Sequence, residues 1–154
     1  LSGTLSKSED DLKRLILAAL AATGLMTGAY AQSNAMGPLA TPSGALQFTR
    51  AERDFVGTLN NEVFDRFTAN ALKHFDDTGS AGDTVTRAVV QTDAGPVLYD
   101  FRQQPPLVLR TDRRMSVERV FWQGDEVVMQ GSQGWFRFKG GVLTKLQSSK
   151  SIYH

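Results

Sequence analysis

"TRAERDFVGTLNNEVFDRFTANALKHF", Thr49–Phe75, is the stretch whose reading decides the fold. Its apolar residues stand at Phe55, Val56, Leu59, Val63, Phe64, Phe67, Ala71, Leu72 and Phe75. Steps of three and four place most of them on one stripe of a helix. Thr49-Arg50-Ala51-Glu52 has the form of a capping box, in which the threonine accepts from the third helical amide and the glutamate reaches back. Glu52 and Asp54 fall in the first turn, and Lys73 and His74 in the last, as the helix macrodipole favours. Gly57 and Asn60-Asn61 weaken the middle, and Gly79 marks the stop. The stretch is predicted to be one long amphipathic helix whose phenylalanines need a large surface to cover them.

After Gly79 the pattern changes to short β-type runs separated by turns. The runs are Thr84 to Gln91, Val97 to Phe101, Leu107 to Arg110, Met115 to Trp122, Glu126 to Gln130, Trp135 to Lys139 and Val142 to Gln147. Between them the turns are too short for parallel crossovers, so an antiparallel meander of about six strands is expected. A long helix followed by a meander implies an α+β domain with the helix laid across the sheet. No internal repeat is visible.

The N-terminal part reads differently. Lys13-Arg14, the apolar Leu15 to Ala22 and the small-x-small Ala29-Tyr30-Ala31 have the build of a secretory signal peptide. The apolar part is short for a membrane span, which needs roughly 20 residues. A leucine codon at Leu12, read as methionine, would start an ordinary signal, so residues 1–11 are read as a spurious extension. The expected organisation is therefore 1–11 extension, 12–31 signal peptide, 32–48 flexible linker, 49–147 a single α+β domain and 148–154 a tail. Gly37, Pro38, Pro42, Ser43 and Gly44 carry the linker reading.

Composition limits the chemistry. The chain has 154 residues, a formal net charge of +1, two histidines and no cysteine. There is no basic excess to neutralise nucleic-acid phosphates. Thiol nucleophiles, disulfides and cysteine-based metal sites are excluded. His74, Asp76 and Asp77 form the one histidine–carboxylate cluster, an incomplete ligand set, so neither a metal nor a cofactor is expected. Gly131-Ser132-Gln133-Gly134 and Gly140-Gly141 read as hairpin turns.

The aromatic residues are more informative. Phe121-Trp122 and Trp135-Phe136 are adjacent pairs, so each places one ring on each face of a sheet. One helix covers only part of one face, so the remaining aromatic surface needs another cover: the linker, a curled sheet, a second subunit or a ligand. Trp122, Trp135, Phe136 and Tyr99 are the candidate binding residues, with Arg113 and Arg114 as candidate contacts to an acidic group.

The expected protein is a small exported domain, periplasmic or secreted and not lipid-anchored, that binds an envelope protein or an apolar ligand without catalysis. It would touch the membrane only through its signal. Two alternatives stand beside it: a hydrolase using carboxylates such as Asp76, Asp100 or Asp125, and a structural homodimer.

Overall fold

The computed structural model describes residues 29–30, 32–79, 82–111 and 113–147. Among them there is no helix. The chain forms β1 (Ala29–Tyr30), β2 (Leu39–Thr41), β3 (Gly44–Ala51), β4 (Asp54–Leu59), β5 (Glu62–Thr68) and β6 (His74–Asp77). It continues with β7 (Arg87–Thr92), β8 (Gly95–Asp100), β9 (Leu107–Arg110), β10 (Val117–Gln123), β11 (Glu126–Gly131), β12 (Gly134–Lys139) and β13 (Val142–Leu146). The fold is all-β, and the α+β expectation is overturned.

Thr49–Phe75 is the end of β3, a hairpin of β4 and β5, and the start of β6. Phe55, Leu59 and Phe67 are buried in the same core, as a stripe would be. Steps of four fit two pleats of a strand as well as one turn of a helix. Gly57, buried between Phe55 and Leu59, carries no side chain and so hides the alternation. Asn60 and Asn61 both have positive φ, 49° and 70°, the geometry of a two-residue hairpin turn. The supposed capping box is strand and turn: Thr49 lies in β3, and Glu52 turns the chain at φ 60°. Asp54 meets no helix N-terminus. Its carboxylate accepts from Thr68 Oγ1 at 2.6 Å and Arg66 Nε at 2.7 Å across the hairpin.

A register shift after Gly57 lets Phe64 turn inward beside Asp65 and Phe67. The Phe64 ring then packs on Tyr99 and Phe101, at 4.9 and 5.9 Å between centroids. A Cβ on Gly57 would stand 3.0 Å from that ring.

The strands form three antiparallel sheets: the meanders β2-β3-β4-β5 in the N-terminal sheet and β6-β7-β8-β9 in the central sheet, and the meander β10-β11-β12-β13 with β1 added at the β10 edge in the C-terminal sheet. The runs read after Gly79 coincide broadly with β7 to β13, but they divide between two sheets. The architecture repeats a four-stranded meander three times without any repeat in sequence. The sheets stack face to face. Leu46, Phe48, Phe55 and Phe67 of the N-terminal sheet pack against Ala88, Val90, Val97 and Tyr99. On the opposite face of the central sheet, Phe75, Val89, Leu98 and Leu109 pack against Val120, Trp122, Met129 and Phe136 of the C-terminal sheet. The second sheet is therefore covered on both faces, which is why β7 is buried along nearly its whole length instead of on alternate residues. A bulge between Val117 and Arg119 brings both Val117 and Val120 to this core.

The segment 32–48, expected as a flexible linker, is part of the fold. Leu46 and Phe48 are core residues of β3. The segment also ties the sheets together. Ser33 bridges to His74 of the central sheet, and the Met36 carbonyl accepts from the Phe48 amide of the N-terminal sheet. Just before it, Ala29 and Tyr30 pair with Phe121 and Val120 of the C-terminal sheet. Of the signal-peptide reading, 12–28 and 31 lie outside the described residues, as do 1–11 and the tail 148–154.

Candidate functional site

The register of the central sheet places two cross-strand rows on the face that meets the C-terminal sheet. One is apolar: Phe75, Val89, Leu98 and Leu109. The next carries charge: Asp77, Arg87, Asp100 and Leu107. Where the two sheets diverge they leave a cleft of about 480 Å³. Leu98, Leu107 and Leu109 line one side and Phe138 the other, with Lys139 and the Gly140-Gly141 turn at the far wall. The turn glycines have φ 59° and 81°, so the hairpin closes tightly without side chains at that wall.

Most of the charges around this cleft are held in pairs, Asp125 being the exception. Arg87 is buried and bonds Asp77 through Nε at 3.0 Å, while its guanidinium lies 4.8 Å from the Trp122 ring. Asp100 accepts from the Arg102 amide at 3.0 Å, from Nε at 2.9 Å and from Nη2 at 2.8 Å. Burial pushes the Asp100 carboxyl up, but the Arg102 bonds and the nearby Arg87 outweigh it and hold it below the usual carboxylate range. Asp100 therefore stays ionised at neutral pH. Lys139 reaches Glu126 at 3.9 Å and is mostly exposed, free to swing over the mouth.

Asp100 and Asp125 both line this cleft, as the hydrolase alternative requires. Asp100 does not suit the part of proton donor, since three bonds from Arg102 stabilise its charge. Asp76 belongs elsewhere: it accepts from, or shares a proton with, His74 Nδ1 at 2.7 Å. His74 is fully buried and its Nε2 donates to the Ala35 carbonyl at 2.8 Å, a structural role that joins the N-terminal segment to β6. No cluster of three or more potential metal ligands occurs among the described residues.

The six residues singled out from the sequence are not brought together. Trp122 and Phe136 are buried between the central and C-terminal sheets. Tyr99 is buried between the N-terminal and central sheets, with its hydroxyl on Asp65. Trp135 stands on the outer face of the C-terminal sheet, stacked on Phe121 at 5.7 Å. The adjacent aromatic pairs are thus split between faces. Arg113 lies 4.9 Å from the Phe136 ring and bonds Gln133 at 3.2 Å. Arg114 lines a separate, polar cleft beyond the other end of β7. The residues that line the apolar cleft, Leu98, Leu107, Leu109, Phe138 and Lys139, had one visible signal. Leu98 alternates with Tyr99 in a strand with apolar residues on both faces, so each face needs its own cover.

No protein-family model, no curated protein and no solved structure matches the chain.

Proposed function

We propose that this chain is an exported, non-catalytic binding domain whose cleft between the central and C-terminal sheets takes an apolar ligand. One observation carries the reading: a cleft of about 480 Å³ lined by three leucines and a phenylalanine, with Arg87, Asp100 and Arg102 already paired. Such a site favours an apolar body, with Lys139 and Asp125 left to meet a polar end. Export rests on the signal pattern of residues 12–31 and places the ligand in the cell envelope. The apolar side chain of an envelope protein is the other occupant this cleft could accept.

The binding reading is tested with a fatty-acid analogue titrated into the Trp135→Phe variant, which leaves Trp122 as the sole indole. Trp122 touches Arg87 of the cleft wall, so a saturable change in its emission is expected. Leu107→Glu, a change at an exposed lining position, should weaken binding by about tenfold. An emission that does not respond, or an equal affinity in Leu107→Glu, contradicts the reading.

A second reading, a structural homodimer, is favoured by Trp135, half-buried on the outer face of the C-terminal sheet beside the buried Phe121. A strict monomer in sedimentation would dismiss it.

A further inference from the structure

The polar cleft beyond the other end of β7 measures about 420 Å³. It forms where the chain passes from sheet to sheet. Lys73 comes from the crossing between β5 and β6, Arg114 and Ser116 from the crossing between β9 and β10, and Ser132 from the turn between β11 and β12. Gln91 fixes the second crossing in place. Its Nε2 donates to the Met115 carbonyl at 2.9 Å and its Oε1 accepts from the Val117 amide at 2.7 Å. Ser116 and Ser132 are locked to each other: the Ser116 amide donates to Ser132 Oγ at 3.1 Å, and the Ser132 amide to the Ser116 carbonyl at 2.9 Å. The walls are therefore held by backbone and amide bonds that leave both hydroxyl hydrogens available.

The donors outnumber the acceptors. Arg66, Arg87, Arg102 and Arg110 each meet a carboxylate elsewhere, and Arg50 donates to the Ala69 and Asn70 carbonyls in the wall of this cleft. Lys73 and Arg114 have no ion-pair partner among the described residues. They face one cleft with the hydroxyls of Ser116 and Ser132, that of Thr92 already given to the Gly95 carbonyl, and a single carboxylate, Asp93. An arginine fork, a lysine point charge and neutral hydroxyl donors are the set that phosphate oxygens complement.

We propose that this cleft binds a phosphate group, seated between Lys73 and Arg114 with Ser116 and Ser132 as neutral donors. The cleft, at about 420 Å³, has room for more than the ion, which suits a phosphate ester: a small phosphorylated molecule or a lipid headgroup. The site lies apart from the apolar cleft and does not rest on the function proposed for it.

The test is a titration of the full chain, at constant ionic strength, with glycerol phosphate and separately with phosphatidylglycerol vesicles. The amide resonances of Ser116 and Ser132 report the first and co-sedimentation the second. Saturable shifts at both amides are expected for glycerol phosphate. Lys73→Gln and Arg114→Gln should each weaken them by about tenfold, and Arg137→Gln, on the outer face of the C-terminal sheet, should leave them within about twofold. Vesicle binding that shows the same dependence assigns the phosphate to a lipid headgroup; its absence assigns it to a small molecule. Shifts that grow linearly with concentration, or that weaken equally in Arg137→Gln, overturn the proposal. So does vesicle binding unaffected by Lys73→Gln and Arg114→Gln in the absence of amide shifts. Lys73 and Arg114 are exposed, and the dispersion of the same spectra verifies that each variant folds.

Discussion

Tyr99 donates its phenolic hydrogen to Asp65 across the interface between the N-terminal and central sheets. Arg110 holds the second oxygen of the same carboxylate from β9. Burial and the adjacent carboxylate push the Tyr99 hydroxyl far above the usual phenol range, so it remains a donor throughout the accessible pH range. Both Tyr99 and Asp65 are buried, so neither can turn to water when the other is removed. Tyr99→Phe should cost about 1–3 kcal/mol of stability. A double-mutant cycle with Asp65→Ala should give a coupling of at least about 0.5 kcal/mol by urea denaturation. Additive losses would show that the two groups do not act as a pair.

His74 makes stability depend on pH. Burial lowers its pKa, but the Asp76 carboxylate at Nδ1 and the Ala35 carbonyl at Nε2 outweigh burial, and the net shift is upward from 6.5. A raised folded pKa favours the charged form in the native state. Its contribution is fully present below the unfolded value and is lost as pH rises through the folded one. Denaturation midpoints should therefore fall as pH rises above 6.5 in the native chain, and Asp76→Asn should flatten that slope. An unchanged slope in Asp76→Asn would remove the carboxylate as its cause.

Gly57 sits under the Phe64 ring, with room for a Cβ only at 3.0 Å. Gly57→Ala must push Phe64 away from Tyr99 and Phe101, at a cost of about 1–3 kcal/mol. Thermal unfolding measures it. In the Phe64→Leu background the same substitution should cost less, because a smaller side chain can give way.

Removal of a signal after Ala31 would take β1 with it. That strand contributes two residue pairs to the edge of β10, while Ser33, Ala35 and Met36 keep their bonds to His74 and Phe48. A chain beginning at Gln32 should thus remain folded, destabilised by no more than about 1–2 kcal/mol. Loss of cooperative unfolding in that chain would show that β1 is required, and would count against a mature start at Gln32.

The C-terminal hairpins of this fold are legible in the residues, and its class is not. Hairpin turns such as Gly131-Ser132-Gln133-Gly134 and Gly140-Gly141 divide β11, β12 and β13 where the sequence divides them, because glycine and short polar pairs mark turns by their own backbone preferences. Thr49–Phe75 misleads because Phe55, Leu59 and Phe67 satisfy two periods at once, and Gly57 removes the apolar signal between them. Asn60-Asn61, a weak point in a helix, is a strong turn in a hairpin. The apolar cleft was hidden for another reason. Leu98, Leu109 and Phe138 meet only because three sheets stack, and nothing local to any one strand states which face meets which sheet. Trp122 and Tyr99 were chosen for their chemistry, which also suits a core.

The central claim is that an apolar ligand enters between the central and C-terminal sheets. Methyl resonances of the leucines, followed during titration with a fatty acid, test it most directly. Leu98, Leu107 and Leu109 should shift together and saturate, while Leu46 and Leu59, in the core on the far side of the central sheet, stay in place. Shifts at Leu46 and Leu59 without those at Leu98 and Leu109, or no saturable shift at any leucine, would contradict the account.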